Sequence, residues 1–160
     1  MVKNSKNLLI KLILLISIIA LISAFFIEYI LGHQPCNLCI LERIPYFLAI
    51  IVILLNYKFI EFEKFFILFL TIIFLFGTVL SLYHLGIEQG LIQESLVCDL
   101  KKGSDLLSKE EILKQLQEKN ISCKDVTFKI FGLSLTTFNL FISLLLTIIL
   151  TKKYFAYGKN

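Results

Sequence analysis

Long apolar runs alternate with short polar ones along this chain, and the runs are the length of a bilayer. Four stand out, at about 9–28, 40–57, 65–87 and 128–151. A spanning helix needs ~20 mostly apolar residues. Backbone polar groups cannot go unpaired in hydrocarbon, so each run is expected to be a helix. The apolar core of the second, Ile44 to Tyr57, is short and must borrow residues at one or both ends. The isoleucine-rich stretches are too long to be buried strands. At the N-terminus Lys3 and Lys6 precede an apolar stretch, but that stretch is too long for a signal peptide and no small-x-small pattern follows it. We expect an uncleaved helix there. The expected fold is an all-α integral membrane protein, a four-transmembrane-helix bundle in one membrane domain, 1–160.

Two polar loops, at about 29–39 and 88–127, join spans one to two and three to four. Within the longer one, Ser108-Lys109-Glu110-Glu111 has the spacing of a capping box and opens a short helix. Leu107, Ile112, Leu113 and Leu116 would form its apolar face, suited either to the membrane surface or to packing on neighbouring loop segments.

Composition agrees with the pattern. Of 160 residues 58% are hydrophobic and 18% charged, and the mean hydropathy is +0.85; a soluble domain carries about 25% charged residues. The net charge of +4 is too small and too scattered to indicate nucleic acid as a partner. Lysines do settle an orientation. Lys3, Lys6, Lys11, Lys58, Lys64, Lys152, Lys153 and Lys159 fall at the termini and the turn between spans two and three. Positive-inside places these segments in the cytosol. By parity the two polar loops share the opposite side, which for a bacterial inner membrane is the periplasm.

All four cysteines lie in those two loops, Cys36 and Cys39 in the first, Cys98 and Cys123 in the second. That is the oxidising side, where disulfides persist. The segment His33-Gln34-Pro35-Cys36-Asn37-Leu38-Cys39-Ile40-Leu41-Glu42-Arg43 carries the strongest chemical signal. A C-x-x-C pair can close a small ring, and a helix starting there would stabilise a thiolate. Pro45 suits the first turn of such a helix. If the helix includes Cys39, Arg43 sits one turn on at i+4 and holds a cation near the sulfur; otherwise Arg43 is an interfacial anchor whose head reaches water. A metal site needs about four convergent ligands. His33 could join the cysteines, but we expect no metal. A Cys98–Cys123 bridge could be a staple worth ~3 kcal/mol, yet two neighbouring disulfides can also exchange and relay electrons. His84, at the end of span three, is either a hydrogen-bonding anchor or a contact for a ligand at the depth of Arg43 and Cys39.

Taken together, these segments resemble one family. Cys36-Asn37-Leu38-Cys39-Ile40-Leu41-Glu42-Arg43 looks like the C-x-x-C-x-x-x-R signature of the DsbB family of disulfide-bond formation proteins. Tyr83-His84-x-Gly86-x-Glu88 is similar to that family's third-helix ending, and Phe131-Gly132-Leu133-Ser134-Leu135 to the start of its fourth. The resemblance covers nearly the whole chain; the absence of Trp leaves Tyr and Phe for the interfacial belts. It implies a quinone-dependent protein-dithiol oxidase. A DsbA-like periplasmic partner would attack Cys98 of a Cys98–Cys123 bridge. Cys123 would then exchange with Cys36, freeing Cys39 as the thiolate facing a membrane quinone, ubiquinone or menaquinone. Arg43 would stabilise the charge on Cys39 and the developing quinol, and Glu42 and His84 would shape the quinone pocket.

Three other readings compete with this one. A vitamin K epoxide reductase-like protein places its C-x-x-C late in the chain, whereas here it precedes span two. A non-catalytic scaffold would use its disulfides only as staples. A metal transporter would need carboxylates or histidines along a path within the membrane.

Overall fold

The long helices are apolar on every side rather than along one stripe, which marks helices that meet neighbours on one face and lipid on the other. In the third of them Leu70, Ile73 and Phe74 are buried while Phe65, Phe69, Phe76 and Leu82 face outward. The structure, a computed structural model, describes residues 2–58, 62–93, 123–124, 129–130 and 132–157. Its elements are α1 (Val2–Tyr29), α2 (Asn37–Leu41), α3 (Ile44–Lys58), α4 (Glu63–Glu88), β1 (Lys129–Ile130), β2 (Leu133–Ser134) and α5 (Leu135–Tyr157). Four segments are long and apolar enough to cross a bilayer: Leu8–Tyr29, Asn37–Lys58, Glu63–Glu88 and Leu135–Ala156. The protein is a multi-pass membrane protein built as a four-helix bundle.

The short second span borrows its missing length from the C-x-x-C segment. Asn37–Leu41 forms one helical turn, Glu42 and Arg43 make a tight bend, and α3 follows. Cys39 therefore lies inside the first turn of the span rather than in the loop before it. The bend keeps its backbone paired: Glu42 N–H donates to Leu38 O (2.9 Å) and Arg43 N–H to Ile40 O (3.1 Å). Pro45 then falls in the first turn of α3, where a missing N–H costs little.

The last span starts at Leu135, later than the apolar run from about 128 suggests. Lys129–Ile130 and Leu133–Ser134 instead pair antiparallel, with Lys129 opposite Ser134. Gly132 turns the chain between them at φ +82, a conformation side-chain-bearing residues rarely adopt. Cys98 and the expected helix opening at Ser108-Lys109-Glu110-Glu111 lie outside the described residues.

The principal helix pairings are α1 on α3, α3 on α4 and α4 on α5. Gly77 lets α3 approach α4 closely, since a Cβ there would stand 3.2 Å from the Pro45 ring. One buried cluster, including Ile13, Tyr46, Ile53, Ile67, Phe74 and Leu150, fills the bundle interior. A second gathers Cys36, Leu38, Ile87 and Cys123 at the cysteine end. Between α1 and α5 runs a cavity of about 620 Å³, lined by Ile16, Ala20, Ile142 and Leu146 along its apolar length and by Cys36, Cys39, Arg43 and His84 at its head.

Candidate active site

The C-x-x-C spacing works here as a helix cap. Cys36 is the N-cap of α2, with extended backbone (φ −71, ψ 167), and its Sγ accepts the backbone N–H of Cys39 at 3.2 Å. The N-cap side chain normally satisfies an N–H two or three residues on, so this spacing puts the second cysteine's amide on the first cysteine's sulfur. Cys36 is 6% exposed, and both it and Cys39 are free thiols. Hydrogen bonding from the Cys39 side chain holds the Cys36 thiol down at about 5; burial opposes this, while the contact with His84 and the Cys39 amide add to it. With both cysteines reduced, the negative charge resides on Cys36.

His84, 1% exposed, reaches this sulfur from α4. Its Nε2 lies 3.5 Å from Cys36 Sγ, and its Nδ1 meets Glu42 Oε1 at 2.8 Å. Glu42, at the bend, is itself buried. Its other oxygen accepts from Asn139 Nδ2 at 2.9 Å. Asn139 also donates to Ser81 Oγ (2.8 Å) and accepts from the Tyr46 hydroxyl (2.5 Å). The Thr136 hydroxyl donates to Glu88 Oε1 (2.6 Å), and its oxygen stands 3.2 Å from His84 Nδ1. A polar network drawn from α3, α4 and α5 thus supports one face of the dithiol. In an apolar bundle such groups are costly unless paired, and here they pair with one another.

Arg43 stands on the opposite wall. Its Nη1 donates to Glu28 Oε2 of α1 at 2.5 Å, and its guanidinium lies 5.1 Å from the Phe25 ring centroid. Between Cys39 and Arg43 the backbone of Glu42 stays right-handed helical (φ −66, ψ −16), and both residues line the head of the cavity. Cys123 is disulfide-bonded and buried in the cluster with Cys36.

Of the residues singled out in the sequence, Cys36, Cys39, Glu42, Arg43, His84 and Cys123 all line this cavity. Sequence reasoning missed Glu28, Tyr46, Ser81, Thr136 and Asn139. Asn139 carried a signal, being an amide within an apolar span. The His84–Glu88 spacing of four residues also placed those two on one helical face, and their Nε2–Oε1 distance is 3.8 Å. The three donor atoms of Cys36, Cys39 and His84 all lie within 4.8 Å of one another.

Comparison with known proteins gives the family. The chain is 34% identical over 152 residues to an uncharacterized protein of Rickettsia prowazekii (strain Madrid E), covering 93% of this chain and 88% of that one. Residues 6–152 match the family model described as disulfide bond formation protein DsbB. With four membrane helices, a capped C-x-x-C and a second, disulfide-bonded cysteine buried beside it, the chain belongs to the DsbB family of disulfide-bond formation proteins.

Proposed function

We propose that this protein is a quinone-dependent thiol oxidase of the bacterial inner membrane, with both termini cytosolic and the cysteine end periplasmic. It reoxidises a DsbA-like dithiol protein and passes the electrons through Cys98–Cys123 and Cys36–Cys39 to membrane quinone. The observation that carries this reading is the burial of disulfide-bonded Cys123 against the free Cys36, at the head of a cavity open to both cysteines of the C-x-x-C.

Each exchange step conserves one disulfide and moves two electrons. A partner thiolate attacks Cys98, and Cys123 leaves as a thiolate. That thiolate meets an oxidised Cys36–Cys39 bridge at Cys36, forms a Cys36–Cys123 bond and expels Cys39. Cys39 is then the sulfur beside the cavity, and Arg43 supplies a fixed cation on the far wall. Glu42, held by Asn139, fixes the orientation of the His84 ring, which stays against Cys36. The α1–α5 cavity fits a quinone, being long and apolar, with its polar groups gathered at one end. A quinone bound there supplies the two-electron acceptor.

Two measurements test the reading. Purified protein should oxidise a DsbA-like dithiol only when quinone is added, forming one disulfide for each quinone consumed. Cys123→Ser should trap the partner on Cys98 as a mixed disulfide visible on a non-reducing gel, whereas Cys39→Ser should stop quinone consumption and still permit exchange at the loop pair. Turnover without quinone, or a partner trapped at Cys36 with Cys98 dispensable, would overturn the electron order.

A further inference from the structure

The reduced C-x-x-C and His84 have a geometry that a disulfide relay does not require. Cys36 Sγ and His84 Nε2 stand 3.5 Å apart, and with Cys39 Sγ they form a three-donor set within 4.8 Å. A tetrahedral zinc ion with Zn–S near 2.3 Å and Zn–N near 2.0 Å sets its ligand atoms about 3.5–3.8 Å apart. The Cys36–His84 pair already has that spacing, and the Cys39 sulfur needs to close by no more than about 1 Å to reach it. The imidazole is also oriented for the task. Its Nδ1–H is committed to Glu42 Oε1 at 2.8 Å, which leaves Nε2 to face the sulfurs. This carboxylate–histidine arrangement is the usual support behind a metal-binding histidine. Glu42 is in turn fixed by Asn139 at 2.9 Å.

From the sequence, two adjacent thiols were too few ligands. The fold adds the third from α4. We propose that the reduced enzyme binds a soft divalent cation of the zinc and cadmium class through Cys36, Cys39 and His84, with Glu42 as the outer support and one coordination position left open. Thiolate and imidazole donors select such ions over magnesium or calcium. The site exists only in the dithiol state, because oxidation joins the two sulfurs to each other. Binding requires both sulfurs as thiolates, releases any proton still on them and removes both from exchange. Metal binding stands independently of the function proposed above, while the inhibition it would cause rests on that reading.

The test uses full-length protein in detergent with Co²⁺ as the probe. In a Cys98→Ser/Cys123→Ser chain, reduced, one Co²⁺ per chain should give the thiolate charge-transfer and intense visible bands of a tetrahedral site, and Zn²⁺ should displace it. The same chain oxidised should show neither band. Glu42→Gln should weaken binding roughly 10–100-fold, as loss of an outer-shell partner does, and His84→Ala should weaken it further. If the double variant does not fold, the native chain is compared fully reduced and fully oxidised, and the Glu42 and His84 effects are read in its reduced form. Binding that persists after oxidation, that is indifferent to His84, or that survives in Cys36→Ser/Cys39→Ser would overturn the site. Should the metal bind as described while quinone turnover continues undisturbed, the site stands and the relay through Cys36 and Cys39 proposed above fails.

Discussion

Cys36 owes its character to three contacts from two neighbours of different origin in the chain. The Cys39 side chain and amide follow from the C-x-x-C spacing; His84 comes from α4. With its pKa held at about 5 against an ordinary 9.0, Cys36 should be a thiolate throughout the neutral range. Its alkylation rate in a Cys39→Ser chain, which keeps a hydroxyl donor, should rise at acid pH and be flat through neutrality. In Cys39→Ala, which removes the largest cause, the midpoint should move up. Because folding depresses this acid's pKa, the stability the thiolate contributes is complete above pH 9.0 and is lost as pH falls through about 5. A midpoint near 9 in the Ser variant would mean the cap has no electrostatic effect on the sulfur. Arg43 is the other decisive residue. Its pairing with Glu28 and stacking on Phe25 fix the guanidinium at the cavity wall. Arg43→Ala should raise the KM for quinone roughly tenfold or more, in line with a charge-assisted contact worth ~1.5–3 kcal/mol, and leave partner exchange intact. Arg43→Lys keeps the charge without the planar fork and should fall between the two. Unchanged quinone kinetics in Arg43→Ala would make the residue an anchor.

At the level of the elements, α3, α4 and α5 are joined near the cysteine end by one amide. Asn139 bonds Glu42, Ser81 and Tyr46 at once, so its side chain satisfies three groups buried in an apolar bundle. Asn139→Leu, similar in volume but without polar atoms, takes the amide donor from Glu42 Oε2 and leaves the Tyr46 hydroxyl only its longer contact with Ser143 Oγ at 3.4 Å. It should cost about 1–3 kcal/mol for each buried group left unsatisfied, read as a lower Tm in detergent, and should slow turnover by freeing the Glu42–His84 pair. A Tm equal to that of the native chain would show that the network carries no stability. The bend at Glu42–Arg43 serves the same elements. It joins α2, whose cap residue Cys36 meets His84 of α4, to α3, which packs through Pro45 on Gly77.

Across the whole molecule, the bundle has two unlike ends. The cysteine end is polar inside and holds the buried cluster of Cys36 and Cys123; the other end is bounded by lysines such as Lys11, Lys58, Lys64 and Lys152. In reduced cells whose outer envelope is permeable, a membrane-impermeant thiol reagent should therefore reach the cysteine end without breaching the inner membrane. Labelling of Cys36 and Cys39 only after that membrane is broken would reverse the orientation. The route proposed for a lipid-soluble acceptor is also a property of the whole bundle. It opens between α1 and α5, the first and last helices, which are not among the principal packing pairs.

The hydrophobic pattern alone determined the membrane class, the four spans and the common side of the cysteine loops, because spanning helices depend on run length and parity, both of which are one-dimensional. Motif spacing likewise marked Cys36, Cys39, Arg43 and His84, since each lies in a local signature. Only the tertiary structure decided which partner each side chain takes. His84 meets Cys36 and Glu42, Arg43 meets Glu28, and Asn139 meets three groups, through contacts between residues far apart in the chain. The start of the last helix was also hidden, because Gly132 can take a left-handed turn and feed a hairpin inside an apolar run. Apolar residues set the depth of a segment in the membrane. The few polar atoms that must be satisfied there set the rotation and spacing of the helices, and those pairings exist only once the helices are side by side.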